Sequence, residues 1–101
     1  MHNIETEESL LCCLINKPSN IVKVSKWIEN DDVFYNSFNK DLWKTIKKMH
    51  KNGETIDAVS VVHKFPSKKH SNKSIAYDVS GIATKEPSYA QAENYAKLIH
   101  E

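Results

Sequence analysis

Apolar residues recur at helical spacing along most of the chain, interrupted by proline, glycine and short polar clusters. In residues 4–16, Leu10, Leu11, Leu14 and Ile15 fall at i, i+1, i+4 and i+5, which draws one apolar stripe along a helix. Glu5, Glu7 and Glu8 occupy its first turns, where acidic side chains suit the positive end of the helix dipole, and they read as a solvated face. Pro18 ends the element, because its ring and missing N–H do not fit a helix interior. A second helix is predicted from Ser19 or Asn20, either of which can cap it, with Ile21, Val24 and Ile28 on one face and Trp27 alongside. Asn30-Asp31-Asp32 breaks the pattern and can cap a short turn, and Val33-Phe34-Tyr35 reads as an apolar plug beneath it.

The third helix has the clearest pattern. From Asn39 to about Lys51, with Phe38 just before it, Leu42, Trp43, Ile46 and Met49 keep helical spacing while lysines fill the other faces. Gly53 follows where a left-handed C-terminal cap would place it. The stretch KNGETIDAVSVVHKF then poses a choice between helix and strand. A hairpin at Asn52-Gly53 would need a strand before it, but the residues there have helical period, so Asn-Gly acts as a stop. Asp57 can cap a following helix by accepting a backbone N–H from Val59 or Ser60. Val59, Val62 and Phe65 then lie at i, i+3 and i+6, with Val61 widening the stripe and Pro66 closing it. Helix is the preferred reading, and strand stays open because three valines favour it.

Residues 67–73, SKKHSNK, form a polar, basic loop. Ile75, Ala76, Val79, Ile82 and Ala83 have helical spacing across 74–85, with Gly81 a mild weakness. After Pro87, Ser88 can cap a last helix striped by Tyr89, Ala92, Tyr95, Ala96 and Ile99, which runs to the last residue without a stop signal. The expectation is an all-α, compact single domain over residues 1–101, built from about six short helices.

Composition narrows the function more than it identifies it. At 101 residues, the chain can build one modest core. No apolar run approaches the roughly 18 residues of a membrane span, and the acidic start MHNIETEE is unlike a secretory signal. The net charge of +1 gives no overall bias toward nucleic acid. Lys64, Lys68, Lys69, His70 and Lys73 do cluster, and could touch phosphates, but no aromatic residue interleaves with them and a solvated loop is the simpler reading. Cys12 and Cys13 are neighbours, poor partners for an unstrained disulfide, which favours a reduced, intracellular protein. One of the two is expected to face the core as a small apolar filler.

Catalytic chemistry is hard to place. With only Gly53 and Gly81, no phosphate-cradling loop can be written. His2, His50, His63, His70 and His100 are scattered, without zinc-ligand spacing. Asp57 is explained as a cap, and Phe34, Phe38, Phe65, Trp27 and Trp43 as core.

The motifs taken in order resemble the N-terminal domain of the bacterial and phage replicative DNA helicase, the DnaB family. The resemblance runs from IETEESLL through DDVFYNSFNKDLWKTI and HKNGETIDAVSVV to SIAYDVSGIA and EPSYAQAENYAKLI, nearly the whole chain. Cys12, Asn39, Lys73-Ser74 and Gln91 depart from the family's usual residues. The resemblance implies a non-enzymatic, cytoplasmic module of the replisome with no catalytic, cofactor or metal residues of its own. ATP and Mg would belong to a separate C-terminal domain absent from this chain, which would make the chain a largely monomeric fragment. It further implies a collar that assembles into a hexamer through a helical hairpin, recruits primase, and is a possible contact for a helicase loader. The last helix, with Tyr95, Leu98 and Ile99 as candidate interaction residues, would lead into that hairpin; Gly53, Asp57, Phe34 and Trp43 would serve the fold. A stand-alone helical adaptor, or a weak nucleic-acid binder acting through Lys64–Lys73, is the alternative.

Overall fold

A computed structural model describes residues 3–66 and 72–100. Its α-helices are α1 (Ile4–Asn16), α2 (Ile21–Ser25), α3 (Ser37–Lys51), α4 (Ala58–Lys64), α5 (Asn72–Ala83) and α6 (Ala92–His100). One-turn 3₁₀ segments at Pro18–Asn20 and Tyr89–Gln91 lead into α2 and α6, and a third spans Asp31–Val33. There is no strand among the described residues.

Helix α1 is the central element, packed against α3, α5 and α6. Asn3 caps it, its Oδ1 accepting the Thr6 N–H at 3.0 Å. From Leu10 to Ile15 every side chain is buried, including both cysteines, where one had been expected to face inward. A helix surrounded by neighbours is buried all round, so its stripe widens into a belt. Burial first, then the adjacent Cys12, pushes the Cys13 thiol up to about 11, so it stays protonated at neutral pH.

Where Ser19 or Asn20 was expected to cap α2, no side chain does so; Pro18 starts the segment, its fixed φ suited to a first helical turn. Asn30 does cap its turn, with Oδ1 accepting the Asp32 N–H at 2.9 Å. Of the expected plug, Phe34 is fully buried and Val33 packs partly against the core, but Tyr35 lies outside, 59% exposed. The Phe34 and Trp43 rings stack with centroids 5.8 Å apart.

Helix α3 begins two residues earlier than the pattern suggested, because Asn36 takes the cap and its Oδ1 accepts the Asn39 N–H at 3.0 Å. It ends as the sequence implies. Gly53 sits at φ +71°, its N–H bonds the His50 carbonyl at 3.1 Å, and the Glu54 N–H bonds the Met49 carbonyl at 2.9 Å. These two bonds are the Schellman pattern, which satisfies the last carbonyls of α3.

Helix wins over strand at the valines. The Asp57 carboxylate accepts the Ser60 N–H at 2.8 Å, and this bond holds its carboxyl below the usual range. The inward face differs from the expected one, however. Ala58, Val61, Val62 and Phe65, at i, i+3, i+4 and i+7, pack inward, whereas Val59 is 69% exposed. Ile56, just before the helix, is buried as well, and α4 packs against α5 on that inward face. Phe65 stacks on Phe38 at 4.9 Å between centroids.

Helix α5 takes up Asn72 and Lys73, which shortens the expected basic loop; residues 67–71 lie outside the described residues. Ile75, Val79 and Ile82 are buried. Gly81 is exposed, and a Cβ built there meets nothing within 4 Å. Gly81→Ala is therefore expected to raise stability by about 0.5–1 kcal/mol, read as a higher urea midpoint at unchanged slope. The connector to α6 is tied to α1: Asn16 Nδ2 donates to the Ala83 carbonyl at 2.9 Å, and the Cys13 thiol contacts the Ser88 carbonyl at 3.8 Å. Ser88 caps with its backbone carbonyl, which accepts the Gln91 N–H at 2.9 Å, and not with its hydroxyl as expected.

Candidate functional site

Among the described residues, no group of three His, Cys, Asp or Glu side chains could hold a metal ion. No helix there is long and apolar enough to cross a membrane. What remains to interpret is the surface, and the side chains that hold it in place.

The three interaction candidates on α6 do not share one environment. Ala92 and Ala96 seat the helix in the core, and Tyr95 and Ile99 pack partly against the same side. The Tyr95 hydroxyl accepts the Ser88 N–H at 3.3 Å, so this residue also closes the turn at the start of its own helix. Leu98 stands apart at 49% exposure, the large apolar side chain that α6 offers to solvent near its end.

Of the architectural candidates, Gly53 and Asp57 bound the connector from α3 to α4, while Phe34 and Trp43 are wholly buried. Trp43 also has a polar anchor that the sequence did not reveal. Its indole Nε1 donates to Asp31 Oδ1 at 2.8 Å, and Lys47 Nζ reaches the same oxygen at 2.6 Å. Burial pushes the Asp31 carboxyl up, but the hydrogen bonds from Lys47 and Trp43 outweigh it and hold the group below the ordinary value. The turn that carries Phe34 is thereby fixed to α3.

Glu7 departs most from its sequence reading. The sequence places it on a solvated acidic face, yet it is only 1% exposed. Its carboxylate accepts the Tyr35 N–H at 2.8 Å, the Asn36 N–H at 3.4 Å and Asn39 Nδ2 at 3.2 Å. One side chain of α1 thus binds the chain just as it enters α3. A signal was present, because Glu7 continues the stripe of Leu10, Leu11 and Leu14 at i, i+3, i+4 and i+7.

Among the described residues, two concave surfaces flank α5. An open cleft of about 790 Å³ lies between α5 and the start of α3, lined by Glu8, Phe38, Asn39, Tyr77, Asp78 and Lys85. Glu8 and Lys85 pair at 3.1 Å, and Tyr77 is 80% exposed. A smaller apolar groove of about 290 Å³ lies between α4 and α5, lined by Ala58, Val59, Val62, Ala76 and Val79. From the basic cluster, Lys64 is engaged by Glu54 Oε1 at 3.0 Å, while Lys68, Lys69 and His70 lie outside the described residues.

Comparison with known proteins gives this surface a setting. The family described as DnaB-like helicase N terminal domain matches residues 1–101. In sequence, the chain is similar to the replicative DNA helicase DnaC of Bacillus subtilis (strain 168), with 28% identity over 105 residues. That match covers 98% of this chain but only 22% of the Bacillus protein. In fold, the chain is similar to the crystal structure of the N-terminal domain of DnaB helicase from Mycobacterium tuberculosis, with a TM-score of 0.84 at 20% identity. The superposition covers 98% of this chain and 72% of that one.

Proposed function

We propose that this chain, which belongs to the DnaB-like helicase N-terminal domain family, is a non-catalytic collar element that assembles a replicative helicase ring and recruits primase. The observation that carries this reading is the division of labour on α6. One face, with Ala92 and Ala96, is consumed by the fold, and Leu98 is left exposed beside the helix end. An element held rigidly by its core face and apolar at its free end is suited to continue into an association surface.

ATP hydrolysis and DNA translocation would lie in a further domain, with ATP and Mg bound there. Within this domain the work is positioning, and the buried Glu7 carboxylate, which holds the entry to α3, supports that reading. Location in the cytoplasm, at the replisome, follows from the same reading, as does contact with a helicase loader.

Primase recruitment is tested by titrating the domain into purified cognate primase in a calorimeter. Saturable heat at a fixed stoichiometry is expected. Absence of heat, with both proteins shown to be folded by circular dichroism, would remove primase from the assignment and leave assembly alone.

A further inference from the structure

Where α6 meets the end of α2, two rings that pack partly against the core keep their outer sides beside a series of lysines. Tyr89, Glu93 and Lys97 follow one another at intervals of four along the Tyr89–Gln91 turn and α6, so they share a face. Lys17 lies over the Tyr89 ring at 5.8 Å from its centroid. Lys97 lies over the Trp27 ring at 4.7 Å, and Lys26 approaches the same ring at 6.0 Å. Glu93 organises the middle: its Oε2 accepts the Trp27 indole N–H at 2.8 Å and pairs with Lys26 at 2.9 Å. Trp27 and Tyr89 are half-buried, and the Lys26 side chain is 61% exposed.

We propose that this stripe is a binding surface for single-stranded nucleic acid, its lysines taking phosphates and its two rings taking bases. The basic cluster after α4 lacks interleaved aromatic residues, and this face supplies them. Long lysine side chains can swing from ring to phosphate without any backbone movement. A base stacked on an aromatic face is held more strongly than an exposed lysine over that face, so the exchange is favourable. The Glu93 carboxylate opposes binding by neutralising Lys26, which makes it a handle for the test.

The test is anisotropy of a labelled oligothymidylate titrated with the chain at several salt concentrations, alongside tryptophan emission. Two phosphate contacts, from Lys17 and Lys97 while Glu93 holds Lys26, predict a slope of about −1.4 for log affinity against log salt, at about 0.7 per phosphate on a single strand. Lys26→Ala with Lys97→Ala should reduce the slope to about −0.7. Glu93→Gln, which can keep the indole bond but frees Lys26, should tighten binding. Emission should be quenched through Trp27, because Trp43 is fully buried, and Trp27→Phe should abolish the quenching. Lys44→Ala with Lys48→Ala, on the exposed side of α3, should change nothing. The proposal is overturned by no binding at low salt, by equal losses in the α3 control, or by polyglutamate quenching Trp27 as strongly as the oligonucleotide does.

Discussion

Glu7→Ala is expected to destabilise the domain by about 2–4 kcal/mol, which approaches the removal of a large core side chain. The buried carboxylate accepts the Asn39 amide and two backbone N–H groups, those of Tyr35 and Asn36, which are partly buried. A hydrogen bond to a charged group contributes about 1.5–3 kcal/mol, and a buried donor left without its acceptor costs about 1–3 kcal/mol. Truncation removes the first and imposes the second at the point where the chain enters α3. In a domain of this size, each kcal/mol lowers the melting temperature by about 4–8 °C, so the loss is large in a thermal melt. Glu7→Gln retains one acceptor oxygen and should recover about half of the loss. If Glu7→Ala melts with the unaltered protein, the carboxylate does not pin that segment.

The second large effect is expected at Trp43. Trp43→Ala should cost about 3–5 kcal/mol, because the ring is fully buried and stacked on Phe34 and its removal leaves a cavity. Trp43→Phe keeps the stack but takes the indole N–H from Asp31, and about 1 kcal/mol of loss is expected. The two effects separate by pH. The Asp31 carboxyl titrates below its unfolded value, so its contribution is fully present above about pH 4 and is lost as pH falls through the depressed value. In Trp43→Phe the depression is smaller, so the acid-side decline in urea midpoint should be shallower. A pH profile parallel to that of the unaltered protein would show that the indole bond does not hold Asp31.

Features that depend on neighbours along the chain were legible in the sequence. The span of α1 follows from its stripe and Pro18, the end of α3 from Gly53, and the start of α4 from Asp57, each an interaction within a few residues. Side-chain caps at Asn20 and Ser88 did not form, because the chain there turns through 3₁₀ segments in which the backbone supplies the bond. The valines show the limit of periodicity. Spacing identified a helix but not which valines face the neighbouring helices, and with α4 packed on α5 and α3 Val59 is exposed.

Tertiary partners were the features least visible in advance. Glu7 meets groups 28 to 32 residues away, and Asn16 ties α1 to Ala83, 67 residues on. The place of Glu7 on the stripe of Leu10, Leu11 and Leu14 marks it as inward-facing, but nothing local names the chain segment it meets. The second buried cysteine has the same cause, since only the assembled bundle surrounds α1 on every side. On α6, the sequence groups Tyr95, Leu98 and Ile99 as interaction candidates, whereas in the fold Tyr95 and Ile99 pack partly against the core and Leu98 is exposed.

Assembly through the end of α6 is tested most directly by light scattering on gel-filtered protein. Three samples suffice: this chain, a longer chain continuing past Glu101, and the longer chain carrying Leu98→Asp. The expected result is a monomer mass for the first, an integral multiple of the monomer for the second, and a return toward monomer for the third, all three folded by circular dichroism. A longer chain that stays monomeric, or an assembly indifferent to a charge at Leu98, would contradict it.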